Sequence, residues 1–194
     1  MMNILNVGYT STNYYILADS KPRLLIDVGF AGTLPKLQHE LKRVGVQLAD
    51  IKHLLATHYH PDHAGLAAEL QKMGIKLIIV DVQQAAIAAV QGDPKLAKQY
   101  SPYDKKAAIT ITLDESLAFL AKLGIQGEII ATPGHSDDSV TLITDDGAAF
   151  IGDLHPPILA GEEDQYVLQS SWDAIRAHNA RHIYPGHGPT HPLK

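Results

Sequence analysis

Residues 57–65 read Thr57-His58-Tyr59-His60-Pro61-Asp62-His63-Ala64-Gly65. Four candidate metal ligands, His58, His60, Asp62 and His63, fall within six residues. An apolar run, Ile51 to Ala56, leads into the stretch, and a helical pattern leads out of it from about Gly65. His58 and His60 stand two apart, so an extended backbone would put both imidazoles on one side. Pro61 fixes φ and removes a donor, which ends the strand and leaves Asp62 and His63 in a turn. A turn aims neighbouring side chains at different points, so this one loop could supply two ligands to each of two adjacent metals. The chain has eleven histidines, and a solvated His-rich surface loop is the competing reading. The rest of the chain decides between them.

A length of 194 residues suits one domain, 1–194, with a substantial core. Apolar residues make up 45% and charged residues 19%, ordinary values for a globular protein. A net charge of −5 without a Lys/Arg cluster argues against a nucleic-acid surface. There is no cysteine, which excludes disulfides, zinc-thiolate sites and a cysteine nucleophile. Any metal must therefore sit on His and carboxylate. The N-terminal residues show no basic region followed by an apolar segment and a cleavage site, and no apolar run approaches the ~20 residues that span a bilayer. The expectation is a cytoplasmic protein with a small-molecule substrate and neither nucleic acid nor membrane as partner. Oligomeric state is not written in the sequence.

Residues 4–7, 14–18 and 23–27 read as short strands, the third ending Leu25-Ile26-Asp27-Val28-Gly29. Leu34 to Val44 has apolar spacing near 3.6 and reads as a helix. Ile51 to Thr57 is the strand feeding the histidine loop, and Gly65 to Met73 the helix after it. Lys76 to Val80 is a strand and Val82 to Val90 an Ala-rich helix. Gln91 to Asp104 reads as an ordered loop or short helix. Ala108 to Thr112 is a strand and Glu115 to Leu123 a helix with Gly124 as its stop. Gly127 to Ala131 leads to Thr132-Pro133-Gly134-His135. Val140 to Thr144 and Ala148 to Ile151 flank Asp145-Asp146-Gly147, a hairpin signal, and the second of them ends in Gly152-Asp153. Ser171 to Ala180 is a helix, and His182 to Tyr184 a last strand ending in Pro185-Gly186-His187-Gly188. Neither a repeat nor a composition shift marks a boundary.

His58, His135, Asp153 and His187 each follow directly on an expected strand. Gly134, Gly152 and Gly186 precede three of them, allowing tight turns and close approach to a site. Strand ends from one sheet edge gather in space, where sheet enzymes place their chemistry. One such histidine would read as a turn residue; all four, with the histidine loop, read as a site.

H-x-H-x-D-H at 58–63, T-P-G-H-S at 132–136, Gly-Asp at 152–153, P-G-H-G at 185–188 and L-I-D-x-G at 25–29 together resemble the metallo-β-lactamase superfamily over essentially the whole chain. The resemblance implies an α/β (mixed α+β) fold, a four-layer αββα sandwich, with a dinuclear site along one edge. It implies that His58, His60 and His135 hold one metal, that Asp62, His63 and His187 hold the second, and that Asp153 bridges them. The donors suit two divalent ions, zinc first, with iron or manganese as alternatives. A bridging water activated between them would be the nucleophile, and Asp62 would orient it or shuttle its proton as the catalytic residue. Asp27 reads equally as a residue orienting a ligand imidazole and as a strand-terminal turn acid.

The superfamily's zinc β-lactamases with a cysteine in the second metal site differ from this chain, which disfavours β-lactam hydrolysis. Asp153 stands where hydrolases resembling glyoxalase II and acyl-homoserine lactonases place a bridging aspartate, so a thioester or lactone is the favoured substrate. Leu154 to Gln169 contains Glu162, Glu163 and Asp164 but no Lys or Arg, a poor partner for a glutathione carboxylate. A lactonase would want a tyrosine near the bridging acid; His155 and the more distant Tyr166 are the nearest polar candidates, with His155 read as a surface histidine before an oxyanion donor. Other readings are a phosphodiesterase, a mononuclear-iron oxidoreductase like the persulfide dioxygenases, on His58, His135 and Asp153, and a non-catalytic binding module. His39, His53, His178, His182 and His191 need no function.

Overall fold

Strand residues of this chain are apolar on both faces, which is what a sheet covered on both sides requires. The computed structural model describes residues 3–18, 22–93, 95, 99–100, 103–159 and 161–194. The first sheet takes β1 (Asn3–Asn6), β2 (Tyr15–Ala18), β3 (Pro22–Ile26), β4 (His53–Leu55), β5 (Lys76–Val80) and β6 (Ile109–Ile111) in that order. The second runs β11 (His191–Pro192), β10 (His182–Pro185), β9 (Ala148–Gly152), β8 (Val140–Thr144), β7 (Gly127–Ala131).

Period-2 alternation splits each strand between two cores. Leu17, Leu24, Ile26, Leu55, Ile78 and Val80 face the second sheet's Ile129, Leu142 and Phe150. Their neighbours Ile16, Leu25, Leu54, Leu77 and Ile79 face the opposite way. There they meet α1 (Leu34–Arg43) through Leu37 and Leu41, α3 (Ala67–Lys72) through Ala67 and Leu70, and α4 (Gln84–Gly92) through Ile87. On the far side of the second sheet, Ile143, Ala149, Ile151 and Ile183 pack on Leu168, Trp172 and Ile175 of α6 (Glu162–Ala177). The result is the expected αββα sandwich. α5 (Ser116–Lys122) docks beside β7, its Leu120 closing the inter-sheet core.

Strand direction decides where the site falls. β3, β4, β5 and β6 are mutually parallel, as are β9 and β10. β7 is antiparallel to β8 and β8 to β9, so β7 points the same way as β9. The C-terminal ends of β3 and β4 thus share one edge, as do those of β7, β9 and β10. Backbone bonds stitch these edges together: Val140 N–H to the Thr57 carbonyl at 2.8 Å, and Asn13 N–H to the Gly186 carbonyl at 2.7 Å.

Four elements depart from expectation. The last helix begins at Glu162, not Ser171, because Leu168, Ser171, Trp172 and Ile175 form one buried i, i+3, i+4, i+7 stripe; it ends near Ala177, where Asn179 takes a left-handed φ of 60°. The strand expected over Ile51 to Thr57 pairs only at His53–Leu55, since the chain beyond it leaves the ladder to form the site. Asp62 and His63 lie in a single helical turn, α2 (Pro61–Ala64), with Pro61 in the first turn, where its missing N–H costs nothing. β11 was not expected at all. The 91–104 segment lies partly outside the described residues; within it, the Tyr100 hydroxyl donates to the Tyr59 carbonyl. No helix among the described residues is long and apolar enough to cross a membrane.

Candidate metal centre

The edge where the strand ends meet carries two adjoining groups of donors. His58, His60 and His135 bring one ligand atom each to within 4.8 Å of one another, and so do Asp62, His63, Asp153 and His187. The seven residues named from the sequence therefore lie together, with Asp153 grouped with Asp62, His63 and His187. The His58 and His60 rings lie 4.6 Å apart, and the His58 and His135 rings 4.8 Å apart. Asp153 stands between the groups, its Oδ1 3.2 Å from His63 Nε2 and its Oδ2 3.7 Å from His135 Nε2 and 3.4 Å from His187 Nε2.

Contacts behind the rings select which nitrogen each histidine presents. His63 Nδ1 is 2.9 Å from Asp27 Oδ2, and His187 Nδ1–H donates to the Ser11 carbonyl at 2.7 Å. His58 Nδ1 sits 3.2 Å from the Thr57 hydroxyl, which itself donates to Asp27 Oδ2 at 2.9 Å. His135 Nδ1 faces His155 Nε2 at 3.4 Å. In these four Nδ1 is engaged and Nε2 faces the cluster, the arrangement metal-ligating histidines need, whereas His60 turns its Nδ1 inward, 3.0 Å from His135 Nε2.

Three buried atoms of the cluster have no hydrogen-bond partner among the described residues: His58 Nε2, His63 Nε2 and Asp153 Oδ1. The last two are close but not aligned for a hydrogen bond. An unsatisfied buried polar atom costs about 1–3 kcal/mol, and cations held by the two adjoining donor groups would satisfy all three. The donor set of imidazoles and carboxylates without thiolate fits a divalent ion such as zinc.

Electrostatics reinforce the grouping. Burial, with the nearby charge of His63, pushes His58 down to about 2, so it is neutral and can donate a lone pair. Burial also pushes His63 down, but the carboxylates of Asp27 and Asp153 outweigh it and hold this imidazole up to about 10. Burial would raise Asp153; the close approach and charge of His63, with His58 and His187, keep its carboxyl well below the usual range. Burial lowers His135, partly offset by Asp153.

Several residues of the site carry no signal in the sequence. Thr12, from the loop before β2, donates its hydroxyl to Asp62 Oδ2 at 3.2 Å. The buried Asp138 accepts the Tyr59 N–H at 2.8 Å, and Gln83 donates to the Ala56 carbonyl at 2.9 Å; both pin the histidine loop from outside. Each partner is more than twenty-five positions distant in the chain, so local pattern could not reveal it. Asp27, read two ways above, is the residue holding His63. Tyr166 is 82% exposed on α6, whereas His155 lies against His135.

Fold and donor cluster together define the class, an αββα sandwich with a candidate metal centre at one edge. Residues 7–187 match the metallo-beta-lactamase superfamily, and the chain belongs to that family. It is 29% identical over 182 residues to the Beta-lactamase-like protein 2 homolog of Drosophila melanogaster, covering 91% of this chain and 58% of that protein. It is 29% identical over 154 residues to a hydroxyacylglutathione hydrolase of Bradyrhizobium sp. (strain ORS 278), covering 77% of this chain and 49% of that one. The chain thus spans about half the length of these two relatives. Among solved structures, the metallo-beta-lactamase family protein TTHA1429 from Thermus thermophilus superposes with a TM-score of 0.73 at 21% identity, over 97% of this chain and 74% of that one.

Proposed function

We propose that residues 1–194 act as one metallo-hydrolase domain with a dinuclear, zinc-loaded site that cleaves an ester-type bond, a thioester or lactone, in a small molecule. The observation that carries this reading is the pair of adjoining donor groups, with Asp153 of the second group reaching to 3.7 Å from His135 of the first, and with buried His58 Nε2, His63 Nε2 and Asp153 Oδ1 otherwise unpartnered. His58, His60 and His135 would hold one ion, Asp62, His63 and His187 the other, and Asp153 both.

Such ions, when bound, would supply an activated water and polarise the carbonyl oxygen under attack. The protein's own groups do the rest. Asp62 Oδ2, steadied by the Thr12 hydroxyl and 3.3 Å from His187 Nε2, takes the proton of the attacking water and delivers it to the departing oxygen or sulfur. Asp27 and the Ser11 carbonyl hold His63 and His187 in the orientation the site needs. Asp153 offsets the positive charge that gathers between the two groups.

The test is elemental analysis of the purified protein, followed by assays of the zinc-reconstituted enzyme on thioesters, lactones and phosphodiesters. A pair of zinc ions per chain with thioester or lactone turnover is expected. Failure to retain metal after reconstitution overturns the reading. A single iron with oxygen consumption would replace it with the oxidoreductase reading.

A further inference from the structure

A cavity of about 310 Å³ opens beside the donor cluster on the side of Asp153 and His187. Its walls are Leu154, Pro156, Trp172, Pro185 and Pro189. His155 and His191 also border it, and no lysine or arginine does. The wall is held in place without a ligand: the Trp172 indole N–H donates to the His155 carbonyl at 2.8 Å, and its ring is backed by the core around Leu168 and Ile175. A largely preformed, mostly apolar concavity next to polar reacting groups is the usual form of a small-molecule site.

The segment after Asp153 carries the same character to the surface. Of eight exposed large apolar side chains among the described residues, four lie between Ile158 and Val167. Ile158 is 85% exposed and Leu159 74%, on a turn that packs against α6. Scattered exposed apolar residues need no explanation, but their concentration on the segment that leaves the cavity wall at Pro156 does. Charge points the same way: residues 154–169 include Glu162, Glu163 and Asp164 and no lysine or arginine. An anionic substituent would find no cation in this segment to pair with.

Resting on the hydrolase reading, we propose that this cavity binds the acyl side of the substrate and that the acyl group is uncharged and apolar. The cavity begins at Asp153 and His187 but Asp62, which delivers the proton to the departing oxygen or sulfur, does not line it, so the cavity takes the acyl substituent of the carbonyl and not the leaving group. A water occupies about 30 Å³ of liquid, so the space matches an unbranched chain of several carbons and not a charged peptide.

Trp172 is the chain's single tryptophan, so its emission reports on this wall alone. The experiment titrates the intact protein with primary alcohols from ethanol to octanol and follows that emission. A saturable change is expected, with a midpoint falling about fourfold for each buried methylene until the cavity is full. Pro189→Phe, whose ring would occupy the space from an exposed loop, flattens the series. A response that does not saturate, or an unchanged length dependence in Pro189→Phe, overturns the proposal. Alcohols present no group that needs the metals, so this readout stands whatever the metal content and turnover assays give for the hydrolase reading. With turnover in hand, kcat/KM should rise from acetyl to hexanoyl thioesters of one thiol and fall again for adipoyl; preference for the charged adipoyl group overturns the assignment.

Discussion

Asp27 and His63 form a buried pair, with Oδ2 2.9 Å from Nδ1, that ties the end of β3 to the helical turn carrying two candidate ligands. Asp27 reaches this position with a left-handed φ of 60°, a conformation that acidic and amide residues tolerate better than most. The same carboxylate accepts the Thr57 N–H at 2.6 Å and the Thr57 hydroxyl at 2.9 Å. One side chain therefore sets the histidine loop and, through Thr57 and His63, both donor groups.

Replacing this carboxylate by an amide keeps shape and backbone preference but turns one acceptor into a donor facing donors. Asp27→Asn should weaken metal binding by about 10–100-fold and lower the melting temperature. Competition against a chromophoric chelator measures the first, and unaltered affinity would remove Asp27 from its orienting role.

Asp62→Ala should lower kcat by about 10²–10⁴-fold, the range of a lost acid/base group, with the fold preserved by circular dichroism, because Asp62 is only partly buried. Thr12→Val, which deletes the hydroxyl donated to Asp62, should cost about tenfold in kcat, since hydrogen bonds to charged groups contribute about 1.5–3 kcal/mol. Near-normal turnover by the Asp62 variant would end its assignment.

Gly186 has no room for a side chain. A Cβ there would stand 2.4 Å from Asp153 Oδ1 and 2.6 Å from His63 Cε1, so Gly186→Ala must push both ligands aside. We expect a destabilisation of about 1–3 kcal/mol, typical of overpacking, together with lost metal. Gly152→Ala should behave similarly: its φ is +55° and its Cβ would meet Thr57 Oγ1 at 2.5 Å. Metal content measured beside thermal melting checks both, and an alanine variant retaining full metal would show that the strand ends can spread.

Chelation should destabilise the protein without unfolding it. Zinc at ~1,000 times its dissociation constant adds about 4 kcal/mol by mass action, and for a chain of this size that is a shift on the order of 10 °C. Scanning calorimetry with and without chelator reads it; identical melting curves would mean that the buried donors are not a metal site.

The sequence alone determined the strands, the helices and the candidate donors, because these are written locally, whereas the layer order followed from the resemblance of its motifs to a known family. Apolar strands such as Leu24 to Ile26 and Lys76 to Val80, separated by helical stretches, read as a mixed α/β chain. The crowding of His58, His60, Asp62 and His63, and the recurrence of Gly134-His135, Gly152-Asp153 and Gly186-His187 at strand ends, identified the donors. Boundaries were less legible where tertiary contacts override local signals: β4 ends early because Leu55 is the last residue its neighbours pair, and α6 begins early because the stripe from Leu168 to Ile175 docks on the second sheet. Only the tertiary structure decided which groups stand behind the ligands. Thr12 on Asp62, Asp138 on Tyr59, Asp27 on His63 and Ser11 on His187 join residues from 36 to 176 positions apart. Hydrogen bonds of this kind depend on how two sheets meet in space, and residue spacing along the chain does not encode that distance.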